Sequence, residues 1–192
     1  MAESGLGQGG LHGGSGWDLL RPEMEKLGHR TFAMDLPIDQ PGVYMDDYAE
    51  AALAAVAGKA ADDAYLVGHS MGGFVAVVAA HRYPDRFSEV LLVDGGLPLA
   101  VPAGISKDDL LAAVLGPAAA RLSMTFKDRP TYLEFWKKHP AFASDWSQAV
   151  VDYATSDLPA AGPVLRQPTS PERVPGDAWV RSGVAPAAAA LS

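Results

Sequence analysis

Leu66-Val67-Gly68-His69-Ser70-Met71-Gly72-Gly73 is the stretch that decides the fold of this chain. The apolar run Ala64 to Val67, preceded by the polar Asp62-Asp63, reads as a buried strand, and Phe74 to Tyr83 has the spacing and alanine content of a helix. Between them the chain turns sharply through a serine. A turn this tight brings neighbouring backbones into contact, and Gly68 and Gly72 stand where a side chain would obstruct the approach. The pattern is that of a nucleophile elbow, in which Ser70 lifts its hydroxyl above the sheet and the Met71 N–H opens a helix, aimed at a developing oxyanion. Gly-x-Ser-x-Gly also occurs in ordinary surface turns, but here the flanking strand and helix supply the context that the elbow requires.

Working outward toward the N-terminus, Leu11-His12-Gly13-Gly14-Ser15-Gly16-Trp17 reads as a flexible loop opening a helix from about Asp18 to Leu27, with Pro22 in its first turn. Glycines after a histidine leave backbone N–H groups free for a ligand, the property a second oxyanion donor needs. Taken alone the stretch is a generic Gly-rich connection. Residues 1–10 contain a formal Gly-x-Gly-x-x-Gly match at Gly5, Gly7 and Gly10. A dinucleotide loop needs a full strand before it, which Met1 to Ser4 do not provide, so that reading is set aside. Arg30 to Leu36 predicts a short buried strand closed by Asp35-Leu36-Pro37, and Asp46 or Asp47 predicts a cap for a helix from about Tyr48 to Lys59.

Beyond the elbow helix, Tyr83-Pro84-Asp85-Arg86 breaks the chain, and Phe87 to Val93 predicts another strand ending at Asp94-Gly95-Gly96. The alternation of strand and helix predicts an α/β fold with a short, mostly parallel sheet flanked by helices. Ligands bind such sheets beyond the carboxyl ends of the strands, where Ser70, Asp94 and the loop at His12 would gather. From about Leu97 the pattern becomes helical, at residues 107–116, 130–138 and 145–154. Tyr132, Phe135, Trp136, Phe142, Trp146 and Tyr153 there read either as core or as the roof of an apolar pocket. Past Leu158, six prolines between Pro159 and Pro186 interrupt any periodicity, and the expectation is a poorly packed tail. The predicted organisation is therefore a core over residues 1–100, a helical insertion over 101–158 and an irregular Pro/Ala-rich tail over 159–192.

Composition narrows the function classes. The 192 residues carry a net charge of −8, with no block of Lys and Arg suited to a phosphate backbone, so nucleic acid is not an expected partner. There are no cysteines and no asparagines, which excludes disulfides, thiolate metal sites and N-linked glycosylation, and suits a reducing compartment. No segment has the roughly 20 apolar residues of a membrane span, and the start lacks the basic and apolar regions of a signal peptide. The expectation is a cytoplasmic protein acting on a small molecule, with no metal or organic cofactor and an oligomeric state the sequence does not fix.

Taken together, His12-Gly13-Gly14, the strand ending Asp35-Leu36-Pro37, the elbow Gly68 to Gly73, and Arg82-Tyr83-Pro84 before Leu91-Leu92-Val93-Asp94 resemble the α/β-hydrolase fold superfamily over roughly residues 11–96. The helical stretch after Pro98 is similar to the cap that many members insert there. The resemblance implies that Ser70 is the nucleophile, that Met71 and Gly13 or Gly14 supply the oxyanion-hole N–H groups, and that an ester or related acyl bond is hydrolysed through an acyl-enzyme. It also implies a central strand ahead of the His12 loop, where Ser4 to Gly10 is a poor strand former, so a weak middle of the sheet is expected.

The superfamily further implies an acid and a histidine from strands after the cap, yet the last histidine is His139. Of the five, His12 belongs to the loop, His29 to a turn, His69 flanks the nucleophile and His81 ends the elbow helix; His139 would reach only with the cap folded over Ser70. Asp94 ends a strand at a position from which some members draw their acid, and it reads equally as a structural carboxylate satisfying loop N–H groups. Three readings follow: a serine hydrolase, a non-catalytic hydrolase-like binding domain, and a piece of a longer protein.

Overall fold

In a computed structural model of the chain, the described residues are 3–7, 14–37, 40, 43–57, 64–97, 104–106, 109, 112–113, 120–121, 124–156 and 158. They belong to two compact units, one within Met1–Pro102 and one within Ala103–Val174. The tail expected to be poorly packed, and most of the helix expected over 107–116, lie outside the described residues.

The first unit is built on four parallel strands, β1 (Glu3–Gly7), β2 (Arg30–Ala33), β3 (Ala64–His69) and β4 (Phe87–Val93), in the order β2-β1-β3-β4. The chain runs from β1 out to β2, then crosses back over β1 to β3. The strand order therefore reverses between β1 and β3, the point at which open α/β sheets bind ligands. Gly7 pairs with Gly68 in register, so β1 ends beside the penultimate residue of β3.

β1 corrects the expectation of a weak middle. Its glycines are poor strand formers, but it pairs with β2 on one side and β3 on the other, and Leu6 is fully buried. Two ladders and one buried leucine override local propensity, which for strands reflects packing more than backbone preference. Because Gly5 and Gly7 lie inside this strand, they form no phosphate-binding loop.

Three helices pack around the sheet: α1 (Arg21–Lys26), α2 (Met45–Val56) and α3 (Met71–Arg82). A short 3₁₀ turn, Gly14–Trp17, precedes α1, so the helix expected from Asp18 starts later. α2 also begins earlier than the sequence suggests, since Asp47 caps from inside the first turn by accepting the Tyr44 N–H at 2.8 Å. Met71 through Ala80 of α3 are all buried. A helix that is apolar on every side belongs in an interior, and α3 packs with α2, Met34, Leu36, Leu66 and Phe87 in the main core. At their far ends, Arg82 pairs with Asp46 at 3.0 Å and the Tyr83 hydroxyl donates to Glu50.

The opposite face of β4 is uncovered among the described residues. Leu91 is 59% exposed and Val93 39%, whereas Val90 and Leu92 on the other face pack on the core.

The second unit contains α4 (Arg129–Lys137) and α5 (Gln148–Thr155). Asp128 caps α4 by accepting the Thr131 N–H at 2.8 Å, with Pro130 in the first turn, and Ser147 caps α5. Tyr132 donates its hydroxyl to the Ala154 carbonyl at 2.9 Å, which joins the two helices. Around it Trp136, Phe126, Phe135 and Phe142 form an apolar cluster with ring separations of 5.1 to 6.2 Å, so these aromatics are the core of their own unit. Arg121 lies over the Trp136 ring at 4.7 Å, and burial lowers its guanidinium pKa.

Candidate active site

The site begins with backbone strain. Ser70 has φ 53° and ψ −120°, a conformation that favours glycine and costs a side-chain-bearing residue about 1–3 kcal/mol. Three contacts hold it there. The Ser70 N–H donates to the Val93 carbonyl at 2.9 Å, the Ser70 carbonyl accepts the Gly73 N–H at 3.0 Å, and Gly95 lies flat against that same carbonyl. A Cβ built on Gly95 would stand 2.2 Å from the Ser70 carbonyl oxygen, and one on Gly68 would stand 2.2 Å from that of Gly72. Similarly, Gly73 would meet the Gly95 carbonyl carbon at 2.7 Å. Four backbones thus meet without side chains between them, which is how the fold sustains the strained serine.

Met71 is the first residue of α3, so its N–H has no intrahelical acceptor and sits at the positive end of a twelve-residue helix. Ser70 and Met71 are therefore a hydroxyl and a free-standing donor on adjacent residues, beside the reversal point of the sheet. Asp94 follows Val93, whose carbonyl holds the Ser70 N–H, so it too lies at this end of the strands. Its side chain is exposed and its φ of 47° is left-handed, a conformation aspartate tolerates better than most residues.

Of the expected second donors, Gly13 lies outside the described residues, as does His12. The buried Gly14 donates its N–H to Asp35 Oδ1 at 2.7 Å. That amide is engaged by a carboxylate at the end of β2 and is not open to a ligand.

The histidines divide by position. His29 precedes β2, at the end of the parallel sheet opposite Ser70. His81 is in the last turn of α3, about 15 Å along the helix from Met71. His69 turns its ring onto Trp17, edge to face at 6.5 Å. His139 stacks on Trp136 and Phe142 within the second unit. Among the described residues no group of three or more metal-ligating side chains occurs, and no helix is long and apolar enough to cross a membrane.

Three contacts escaped the sequence: Asp35 on Gly14, Trp17 on His69, and Gly95 on Ser70. Only the last left a local sign, the glycine pair Gly95-Gly96 directly after a strand.

Comparison with known proteins bears on the family and the fold. The model of the alpha/beta hydrolase family matches residues 9–191. Methylesterase 9 of Arabidopsis thaliana is 33% identical over 103 residues, which cover 48% of this chain and 40% of the relative. Norfluorocurarine synthase 1 of Strychnos nux-vomica is 32% identical over 105 residues, covering 50% and 39%. Salicylic acid-binding protein 2 of Nicotiana tabacum is 29% identical over 101 residues, covering 48% and 39%. The matched stretch thus spans about two fifths of these relatives' own length. Among solved structures, a Mycobacterium tuberculosis esterase superposes with a TM-score of 0.62 at 18% identity, covering 90% of this chain and 60% of that one. A polyneuridine aldehyde esterase mutant gives 0.53 at 20% identity, covering 81% and 67%. At these identities the structural likeness concerns the fold.

Proposed function

From the premise that this chain belongs to the alpha/beta hydrolase family, we propose that it hydrolyses an ester of a small carboxylic acid, or a related acyl bond, through an acyl-enzyme on Ser70. The observation that carries the reading is the strained Ser70 conformation, held by Val93, Gly73 and Gly95 on the first turn of a buried helix. Strain of this order persists where surrounding structure over-determines it and a function requires it.

In this mechanism the Ser70 hydroxyl oxygen attacks the acyl carbon, forming the new C–O bond as the serine proton passes to a water molecule, which later returns a proton to the leaving alcohol. The carbonyl oxygen becomes an oxyanion within reach of the Met71 N–H, whose helix-terminal position favours negative charge. The second donor falls to the segment that leaves β1 at Gly7, and Gly13 is the candidate within it. Collapse of the tetrahedral intermediate expels the alcohol, which takes up a proton, and water then cleaves the acyl-serine ester to release the acid and restore Ser70. Asp94 is the candidate acid of the triad. We assign the core to residues 1–100, the cap to 101–158 and the tail to 159–192, with a cytoplasmic location that suits a chain without cysteine.

A second reading has an observation in its favour. None of the described histidines in the first unit points to Ser70, and Leu91 and Val93 are exposed on one face of β4, as in a domain that binds without turning over. A fluorophosphonate that acylates activated serines separates the two. Wild-type protein becomes labelled and Ser70→Ala does not if Ser70 is a working nucleophile; equal labelling of both refutes the hydrolase reading. With the base absent, turnover of an activated ester should still exceed the uncatalysed rate by about a thousandfold, the residue left by an oxyanion hole and binding.

A further inference from the structure

We propose that Asp35 is a positioning residue of the Ser70 site, acting through the backbone of Gly14. This rests on the hydrolase reading for its functional consequence, though not for its structural part. Asp35 lies two residues past the end of β2, and its Oδ1 accepts the Gly14 N–H at 2.7 Å across 21 positions of sequence. Gly14 is the first residue of the 3₁₀ turn Gly14–Trp17 and is buried against β2: a Cβ there would meet Asp35 Oδ1 at 3.4 Å, and the Ala33 Cβ and the Met34 carbonyl carbon at 3.5 Å. At the other end of the same turn, Trp17 packs edge to face on His69, the residue before the nucleophile.

The turn is therefore a strut with two footings. One is the carboxylate at the end of β2, and the other is the strand that carries the elbow. The carboxylate–amide bond that forms the first footing is of the charge-assisted kind, stronger than a bond between neutral groups. Asp35 itself touches no substrate in this arrangement. It withholds the Gly14 amide from the oxyanion and fixes the turn whose Trp17 backs His69, the residue before Ser70. Because the placement of Ser70 bears on the chemical step more than on substrate binding, loosening that anchor should lower kcat and leave KM nearly unchanged.

The test uses Asp35→Ala, which removes the acceptor, and Asp35→Asn, which keeps an oxygen acceptor in its place. Two readouts are taken on the whole chain: amide hydrogen exchange of a peptide spanning residues 8–17, and fluorophosphonate labelling and p-nitrophenyl acetate hydrolysis. Exchange in that peptide should rise about tenfold or more in Asp35→Ala and stay near wild type in Asp35→Asn. Labelling and kcat should fall about a hundredfold in Asp35→Ala, the loss that misplacing a reacting group by about 1 Å brings, with the asparagine variant restoring most of it. Unchanged exchange in Asp35→Ala overturns the proposal, as does equal loss in both variants. Raised exchange with labelling at the wild-type rate overturns its functional half. Absence of labelling in the wild type, with exchange responding as expected, refutes the hydrolase reading and leaves the strut standing.

Discussion

Adding a single methyl group at Gly95 should distort the turn at Ser70 without altering its side chain. The backbone of Gly95 has ordinary φ, so alanine brings no conformational penalty there and the effect is one of space. The new Cβ would lie 2.2 Å from the Ser70 carbonyl oxygen and 2.8 Å from its Cα, whereas unstrained contact begins near about 3.5 Å. Something must move by roughly 1 Å. Both neighbours are backbone, and Ser70 is tied by its N–H to Val93 at 2.9 Å and by its carbonyl to the Gly73 N–H at 3.0 Å. Losing those two hydrogen bonds costs about 1 kcal/mol each, and residual overlap adds to it, for a total near 2–3 kcal/mol. In a protein of this size that is a fall of about 4–12 °C in melting temperature, and a nucleophile displaced by about 1 Å should label about a hundredfold more slowly. Gly28→Ala is the control: its φ of 85° makes alanine unfavourable by about 1–2 kcal/mol, but nothing lies within 4 Å of the new Cβ, so stability falls while labelling of the folded protein is unchanged. Gly95→Ala with wild-type stability and labelling within about twofold would refute the account of how the elbow is held.

The buried and exposed faces of the sheet should respond oppositely to substitution. Leu66→Ala, at a position 1% exposed, should cost about 2–5 kcal/mol in urea denaturation, while Leu91→Lys, at 59% exposed, should stay within about 0.5 kcal/mol. The cap of α4 should be sensitive to pH. Hydrogen bonds from Thr131 hold the Asp128 carboxyl below the usual carboxylate range, so its contribution is complete above that range and is lost as pH falls through the lowered value. The difference in thermal midpoint between wild type and Asp128→Ala should therefore be present at neutral pH and shrink in acid; a difference that grows in acid would contradict the cap.

What was legible in the sequence was what neighbouring residues enforce on one another. β3, the turn at Ser70, α3, the break at Pro84 and β4 could be read because apolar runs, glycines and a proline fall at adjacent positions and each supports the next. β1 could not, since Ser4-Gly5-Leu6-Gly7 has no intrinsic tendency to extend and is held by ladders to strands far along the chain. The site divided in the same way. Ser70 and Met71 followed from the elbow alone, whereas the engagement of Gly14 by Asp35 is a long-range contact that no local pattern encodes. The histidines were readable by elimination, because secondary structure fixes that His81 and His29 end up away from the strand tip once the helix and strand around them are known.

The burial of α3 on every side has a consequence for how the serine comes into being. A twelve-residue helix is marginal in water, and this one has no wet face on which to survive while its neighbours are absent. Its stability therefore depends on the sheet and α2 packing around it, and the strained turn at its N-terminus depends on the same packing. The strained conformation of Ser70 is therefore expected only in molecules whose sheet and helices are packed. A reagent that labels Ser70 by virtue of that conformation would then count only the folded molecules.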